Sequence, residues 1–78
     1  MKTVEIRINT INAIRNFVDI AGNYPFEIDL SSHRYIVNGK SLMGVASLDK
    51  SKPITVTMHS EDEALCQQLA EELKPFME

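Results

Sequence analysis

The chain has 78 residues, 44% of them hydrophobic and 24% charged, with a net charge of −3 and no tryptophan. That length suits one small domain over residues 1–78, in which most apolar residues must pack. The acidic balance leaves no basic stripe for nucleic acid, and apolar runs of only a few residues leave no transmembrane span.

One cysteine, Cys66, excludes an internal disulfide and fits a reducing compartment. An alternating strand pattern begins at the N-terminus where a signal peptide would stand, so the expected location is the cytoplasm. Over residues 2–8, Val4, Ile6 and Ile8 share one face while Thr3, Glu5 and Arg7 share the other, the pattern of a half-buried strand. Asn9 or Thr10 then caps a helix, along which Ile11, Ile14, Val18 and Ala21 recur with Phe17 beside them. Gly22-Asn23 supplies the stop.

Phe26, Ile28 and Leu30 alternate with Glu27, Asp29 and Ser31 in a second strand, and the polar Ser31-Ser32-His33-Arg34 turns the chain. Tyr35-Ile36-Val37 reads as a third strand whose facing is ambiguous, because all three residues are apolar. Asn38-Gly39 ends it and a short helix over Ser41–Leu48 follows. After the charged loop Asp49-Lys50-Ser51-Lys52, Pro53 opens a fourth strand in which Ile54, Val56 and Met58 alternate with Thr55, Thr57 and His59. Ser60-Glu61-Asp62-Glu63 reads as a capping box, with Ser60 as the cap and Glu63 reaching back. Leu65, Leu69, Leu73 and Phe76 form the stripe of the last helix, flanked by Cys66 and Ala70, and Pro75 closes it.

The order is therefore β-α-β-β-α-β-α. Both long helices need a surface for their stripes, and one face of an antiparallel sheet provides it. A ferredoxin-like arrangement is the nearest competitor, but it has no short helix between its third and fourth strands.

No zinc spacing, Gly-rich phosphate loop or Ser-His-Asp set is visible, so neither catalysis nor a cofactor or metal is expected. His33 and His59 read as exposed polar residues at element ends, and Cys66 as a small buried hydrophobe. Glu61, Asp62 and Glu63 read as first-turn acids, since consecutive acids on a helix point in different directions. Ser41 stands where the short helix begins, so it can accept a hydrogen bond from a free backbone N–H there. A phosphate at the same place would be favoured by the helix dipole. Leu42, Met43 and Val45 lie on barely two turns, too little to bury every side, although Leu42 and Met43 also read as satellite core. Methionine repacks easily, which suits Met43 to a contact surface.

The run Lys40-Ser41-Leu42-Met43-Gly44-Val45-x-Ser47-Leu48 resembles the regulatory-serine segment of HPr, the phosphocarrier of the bacterial sugar phosphotransferase system, especially its Gram-positive form. The likeness extends along the whole chain in length and element order, at low identity. It implies an α+β fold, an open-faced β-sandwich with a four-stranded antiparallel sheet and helices on one face. It also implies phosphorylation of Ser41 by an ATP-dependent HPr kinase, with Lys40, Leu42, Met43 and Val45 as the surface for protein partners.

HPr carries phosphate on a histidine at the start of its first long helix, in a pattern like Gly-Leu/Ile-His-x-Arg-Pro. Counting back from Ser41 without gaps places Thr10 at that histidine and Asn12 at the arginine. The stretch Ile8-Asn9-Thr10-Ile11-Asn12-Ala13 holds neither histidine nor proline. A threonine hydroxyl has far too high a pKa to act as an unaided nucleophile, so Thr10 and Asn12 read as a degenerate carrier site. The combination resembles HPr-related proteins that lack the histidine, keep the serine and bind a transcription regulator in catabolite repression. Two rivals stand beside this reading: a phosphocarrier in phosphoenolpyruvate-dependent sugar transport, and an HPr-shaped structural or oligomerising domain.

Overall fold

The computed structural model describes residues 1–49 and 51–77, so Lys50 of the expected charged loop lies outside the described residues. The elements are β1 (Lys2–Ile6), α1 (Ile11–Ala21), β2 (Glu27–Ser32), β3 (Tyr35–Asn38), α2 (Leu42–Ala46), β4 (Ile54–His59) and α3 (Glu63–Glu72), closed by a 3₁₀ turn over Lys74–Phe76. This is the expected α+β order. One four-stranded sheet runs β1-β4-β2-β3 with every neighbouring pair antiparallel.

Strand alternation decides which face the helices cover. Ile6, Ile28, Leu30, Ile54, Val56 and Met58 point to the helical side and are at most 1% exposed. Against them pack Ile14, Phe17 and Ala21 of α1 and Cys66, Leu69 and Leu73 around α3. Each large apolar side chain taken out of water contributes about 1.5–3 kcal/mol, far more than helix propensity supplies, so burial of these stripes holds the helices in place. The other sheet face carries Thr55, Thr57, Asp29 and His59, and there His59 Nε2 lies 2.6 Å from Asp29 Oδ2.

Several local expectations change. β1 ends at Ile6 rather than Ile8, because the N–H of Arg7 donates to the carbonyl of Phe76 at 2.6 Å instead of to a neighbouring strand. Ile8 is nevertheless fully buried. On α1 the buried positions are Ile14, Phe17 and Ala21, whereas Ile11 is 71% exposed, since the first turn projects past the core that covers Ile14. Thr10, not Asn9, is the cap. The second strand is shifted one residue on, from Phe26–Ser31 to Glu27–Ser32, and the third gains Asn38, which leaves only His33-Arg34 as the turn, with His33 in the left-handed region at φ 57.

At α3 the expected capping box does not form. Asp62 is the cap, its Oδ1 accepting from the N–H of Leu65 at 3.1 Å, while Ser60 Oγ accepts from the N–H of Asp62 at 3.0 Å and so serves the preceding turn. Pro75 does not close α3, which ends at Glu72, but sits inside the 3₁₀ turn.

Candidate functional site

The segment from Asn38 to Leu48 is fixed to the sheet at its start. Beyond β3, the N–H of Gly39 donates to the carbonyl of Ile28 at 2.7 Å. A Cβ at position 39 would stand 2.9 Å from Ile28 Cγ2 and 3.0 Å from the Ile28 carbonyl oxygen, so the close approach requires glycine here. Asn38 then holds the turn from both ends: its Oδ1 accepts from the N–H of Lys40 at 2.8 Å and its carbonyl accepts from the N–H of Ser41 at 3.1 Å.

Ser41 is the N-cap of α2, with extended backbone (φ −100, ψ 115), and its Oγ accepts from the N–H of Gly44 at 3.1 Å. Next along α2 come Leu42, 46% exposed, and Met43, 83% exposed. Val45 was expected on the same docking surface, and the structure corrects this: it is fully buried. Helical geometry explains the split, since residues advance by about 100° each and Met43 and Val45 therefore stand about 200° apart. Val45 and the buried Leu48 anchor α2 on the core, which leaves Leu42 and Met43 as the apolar surface of the site.

Lys40 is half-buried, and its ammonium donates to the carbonyl of Tyr24 at 2.5 Å. Tyr24 in turn is 4% exposed, and its hydroxyl donates to a Glu72 carboxylate oxygen. Burial, then the hydrogen bond to Glu72 and its negative charge, push the Tyr24 phenol up to about 12. The α1–β2 connection, the start of α2 and the end of α3 are thus joined through one residue. No sequence pattern marked Tyr24 for this part, because the bond to Lys40 uses its backbone carbonyl.

The start of α1 carries the same kind of cap on a longer helix. Thr10 Oγ1 accepts from the N–H of Ala13 at 3.1 Å, and Thr10, Ile11 and Asn12 are all exposed. Neither histidine of the chain lies there: His33 is in the β2–β3 turn and His59 pairs with Asp29 on the open sheet face. The structure therefore brings Ser41, Leu42 and Met43 together with Lys40, and leaves Thr10 and Asn12 as a capped helix start on another element. Among the described residues no group of three or more His, Cys, Asp or Glu could hold a metal ion. Among the described residues no helix is long and apolar enough to cross a membrane.

The family model described as the PTS HPr component phosphorylation site matches residues 10–78. No curated protein matches the chain. Among solved structures the chain is similar to HPr-C-His of Thermoanaerobacter tengcongensis, at 23% identity over 95% of this chain and 92% of that one, with a TM-score of 0.75. It is also similar to the phosphocarrier protein HPr of Bacillus anthracis, at 22% identity over 94% and 96%, with a TM-score of 0.69. The catabolite repression containing protein Crh of Bacillus subtilis, whose structure is a swapped, intertwined dimer, is 23% identical over 92% of this chain and 85% of its own, with a TM-score of 0.67. These identities speak to the fold, and the family match covers all but the first strand and its exit.

Proposed function

The chain belongs to the HPr family of the phosphotransferase system, and within it we propose a binding and regulatory protein that does not relay phosphate and is controlled by phosphorylation at Ser41. Members of this family carry phosphate and bind other proteins without being enzymes themselves. The observation that carries the regulatory reading is a serine hydroxyl at the start of α2 beside Leu42 and Met43, the latter 83% exposed. A phosphate there adds about −1.5 to −2 charges next to an apolar surface, and so changes which partner surface can dock. Lys40, Leu42 and Met43 form the docking surface in this reading, the kinase is an ATP-dependent HPr kinase, and the partner is a transcription regulator. Residues 1–78 act as one domain in the cytoplasm.

Chemistry disfavours relay at Thr10. Thr10 spends its hydroxyl oxygen as a cap acceptor, its pKa is too high for unaided attack, and a phosphothreonine ester is a poor donor to a second protein. The relay reading keeps one point in its favour, that the family whose model matches residues 10–78 is described by its phosphorylation site.

The test is mass mapping of the protein after incubation with ATP and an HPr serine kinase, beside a parallel incubation with phosphoenolpyruvate and the first enzyme of the phosphotransferase chain. A single phosphate on Ser41 in the first, absent in Ser41→Ala, and none in the second is the expected result. Phosphate acquired only in the second would replace the proposal with a carrier function.

A further inference from the structure

The sheet has two edges, and they are not equally protected. β1 carries Lys2 and Glu5, and the chain just beyond it is tied to the C-terminal turn through the bond from Arg7 to Phe76. β3, the other edge, exposes 68% of Tyr35 and 68% of Ile36. Charges and covering segments are the usual means of blocking an edge, and two large exposed apolar residues are the reverse.

The backbone phase of β3 follows from one bond. Antiparallel partners alternate between pairs that exchange hydrogen bonds and pairs that do not. The register Asp29↔Asn38, Leu30↔Val37, Ser31↔Ile36 extends to Ile28 opposite Gly39, and Gly39 donates to Ile28. The pairs at Val37 and Tyr35 are then the bonded ones. The N–H and C=O of Ile36 turn away from β2, toward the open side of the edge.

Alongside this edge runs a groove of about 380 Å³, lined by Tyr35, Ile36, Val37, Ser47, Leu48 and Asp49. The carboxylate of Asp49 is already engaged, its Oδ1 accepting from the N–H of Ser51 at 2.9 Å and from the Ser51 hydroxyl at 2.7 Å. Those bonds from Ser51, with a smaller contribution from nearby Lys52, hold its carboxyl below the usual carboxylate range. Arg34 is exposed at the entry to β3, in line with the edge. In a chain of net charge −3, the described charges around this strip are one engaged acid and the exposed cations Arg34 and Lys52.

We propose that the outer edge of β3 is a docking strip for an extended, aliphatic and acidic peptide segment of a partner protein, which adds as a further strand and seats an apolar side chain in the groove between Tyr35 and Leu48. Strand addition draws affinity from the main chain and specificity from alternate side chains. One set of the added strand's side chains faces the groove and the other lies beside Ile36. A carboxylate near the end of the segment meets Arg34. Pairing β3 of one molecule with β1 of the next is head-to-tail and does not close, whereas two β3 edges can pair antiparallel about a two-fold axis, an alternative that the dependence on protein concentration separates below.

The test uses the full isotope-labelled chain and the acetylated, amidated pentapeptide Val-Glu-Val-Glu-Val, with backbone amide shifts as the readout. Its companions are the same peptide with lysine for glutamate, two forms N-methylated at one or the other set of alternate residues, and the variant Arg34→Glu. Shifts confined to Arg34–Asn38 and Ser47–Asp49 are expected. Binding should be about tenfold weaker for the lysine peptide and about tenfold weaker for the acidic peptide to Arg34→Glu, a loss that one displaced charge contact of about 1.4 kcal/mol produces. One N-methylated form should lose binding and the other keep it. Equal effects from all peptides, shifts elsewhere, or shifts of the same amides with protein concentration alone would overturn the proposal, the last by assigning the edge to a second copy.

Discussion

Two helices of this chain begin in the same way and stand in opposite circumstances. Thr10 caps α1 and Ser41 caps α2, each side-chain oxygen accepting from the backbone N–H three residues on at 3.1 Å. α1 then runs for eleven residues and buries Ile14, Phe17 and Ala21, whereas α2 runs for five and buries Val45 alone. A five-residue helix is far below the length that stands unaided in water. Its cap, Val45 and Leu48 just beyond its end therefore hold a larger share of it. The lesson is that one hydroxyl bond can be incidental in one place and decisive in another, depending on how much core stands behind it.

The comparison can be broken most severely at α1. Phe17→Ala removes a fully buried ring that also meets Phe76 edge-on, with centroids 6.3 Å apart, and should cost about 3–5 kcal/mol. Chemical denaturation would show it as a fall in midpoint. An unchanged midpoint would mean that α1 is not held by this stripe. Next in size is Gly39→Ala, whose Cβ meets Ile28 at 2.9 Å. Overpacking of this kind costs about 1–3 kcal/mol, and the amides of Lys40 to Val45 should shift with it, because the strain falls at the root of α2.

The paired substitutions sharpen the comparison. Thr10→Ala and Ser41→Ala should each lose about 1 kcal/mol by the capping rule, but their hydrogen-exchange maps should differ. Ser41→Ala should expose the amides of α2 as a unit, while Thr10→Ala should fray only the first turn of α1. Identical local fraying in both would remove the distinction drawn above.

An effect no larger than these at neutral pH belongs to Tyr24→Phe. Its folded pKa, about 12, lies above the ordinary 10.0, so the native state favours the protonated phenol. That contribution is fully present below pH 10 and is lost as pH rises from about 10 to about 12. Tyr24→Phe should flatten the alkaline part of the stability profile and, near neutrality, cost about 1 kcal/mol for the lost bond to Glu72. Alkaline unfolding followed by circular dichroism tests the sign.

Where the sequence left one physical solution, the structure agrees with it. The alternation in β1, β2 and β4 could be satisfied only by a sheet with one covered face, and the two helical stripes required that cover. Where several residues could do the same local job, the sequence did not choose. Around α3, Ser60, Glu61, Asp62 and Glu63 all carry side-chain oxygens within four positions. Asp62 becomes the cap because Ser60 is taken up two residues earlier.

The site was legible in part. Ser41 as a cap and Met43 as an exposed side chain follow from a short helix after Asn38-Gly39, and the opposed directions of Met43 and Val45 were available from helical spacing alone. Ile11 was misjudged because periodicity gives angle and says nothing about where the core stops. The ties from Lys40 to the Tyr24 carbonyl and from the Tyr24 hydroxyl to Glu72 cross sixteen and forty-eight positions, distances over which no local pattern carries information.

The sheet order also fixes a schedule. β1 is made first, yet it has no neighbour but β4, which lies between it and β2 and spans Ile54–His59. A growing chain that has emerged only as far as residue 53 holds the β2–β3 hairpin and an orphaned N-terminal strand, with nothing to join them. The central strand arrives last and closes the sheet from both sides at once. Until then Val4 and Ile6 have no partner strand, and the N-terminus must wait for most of the chain to be synthesised before it has anywhere to go.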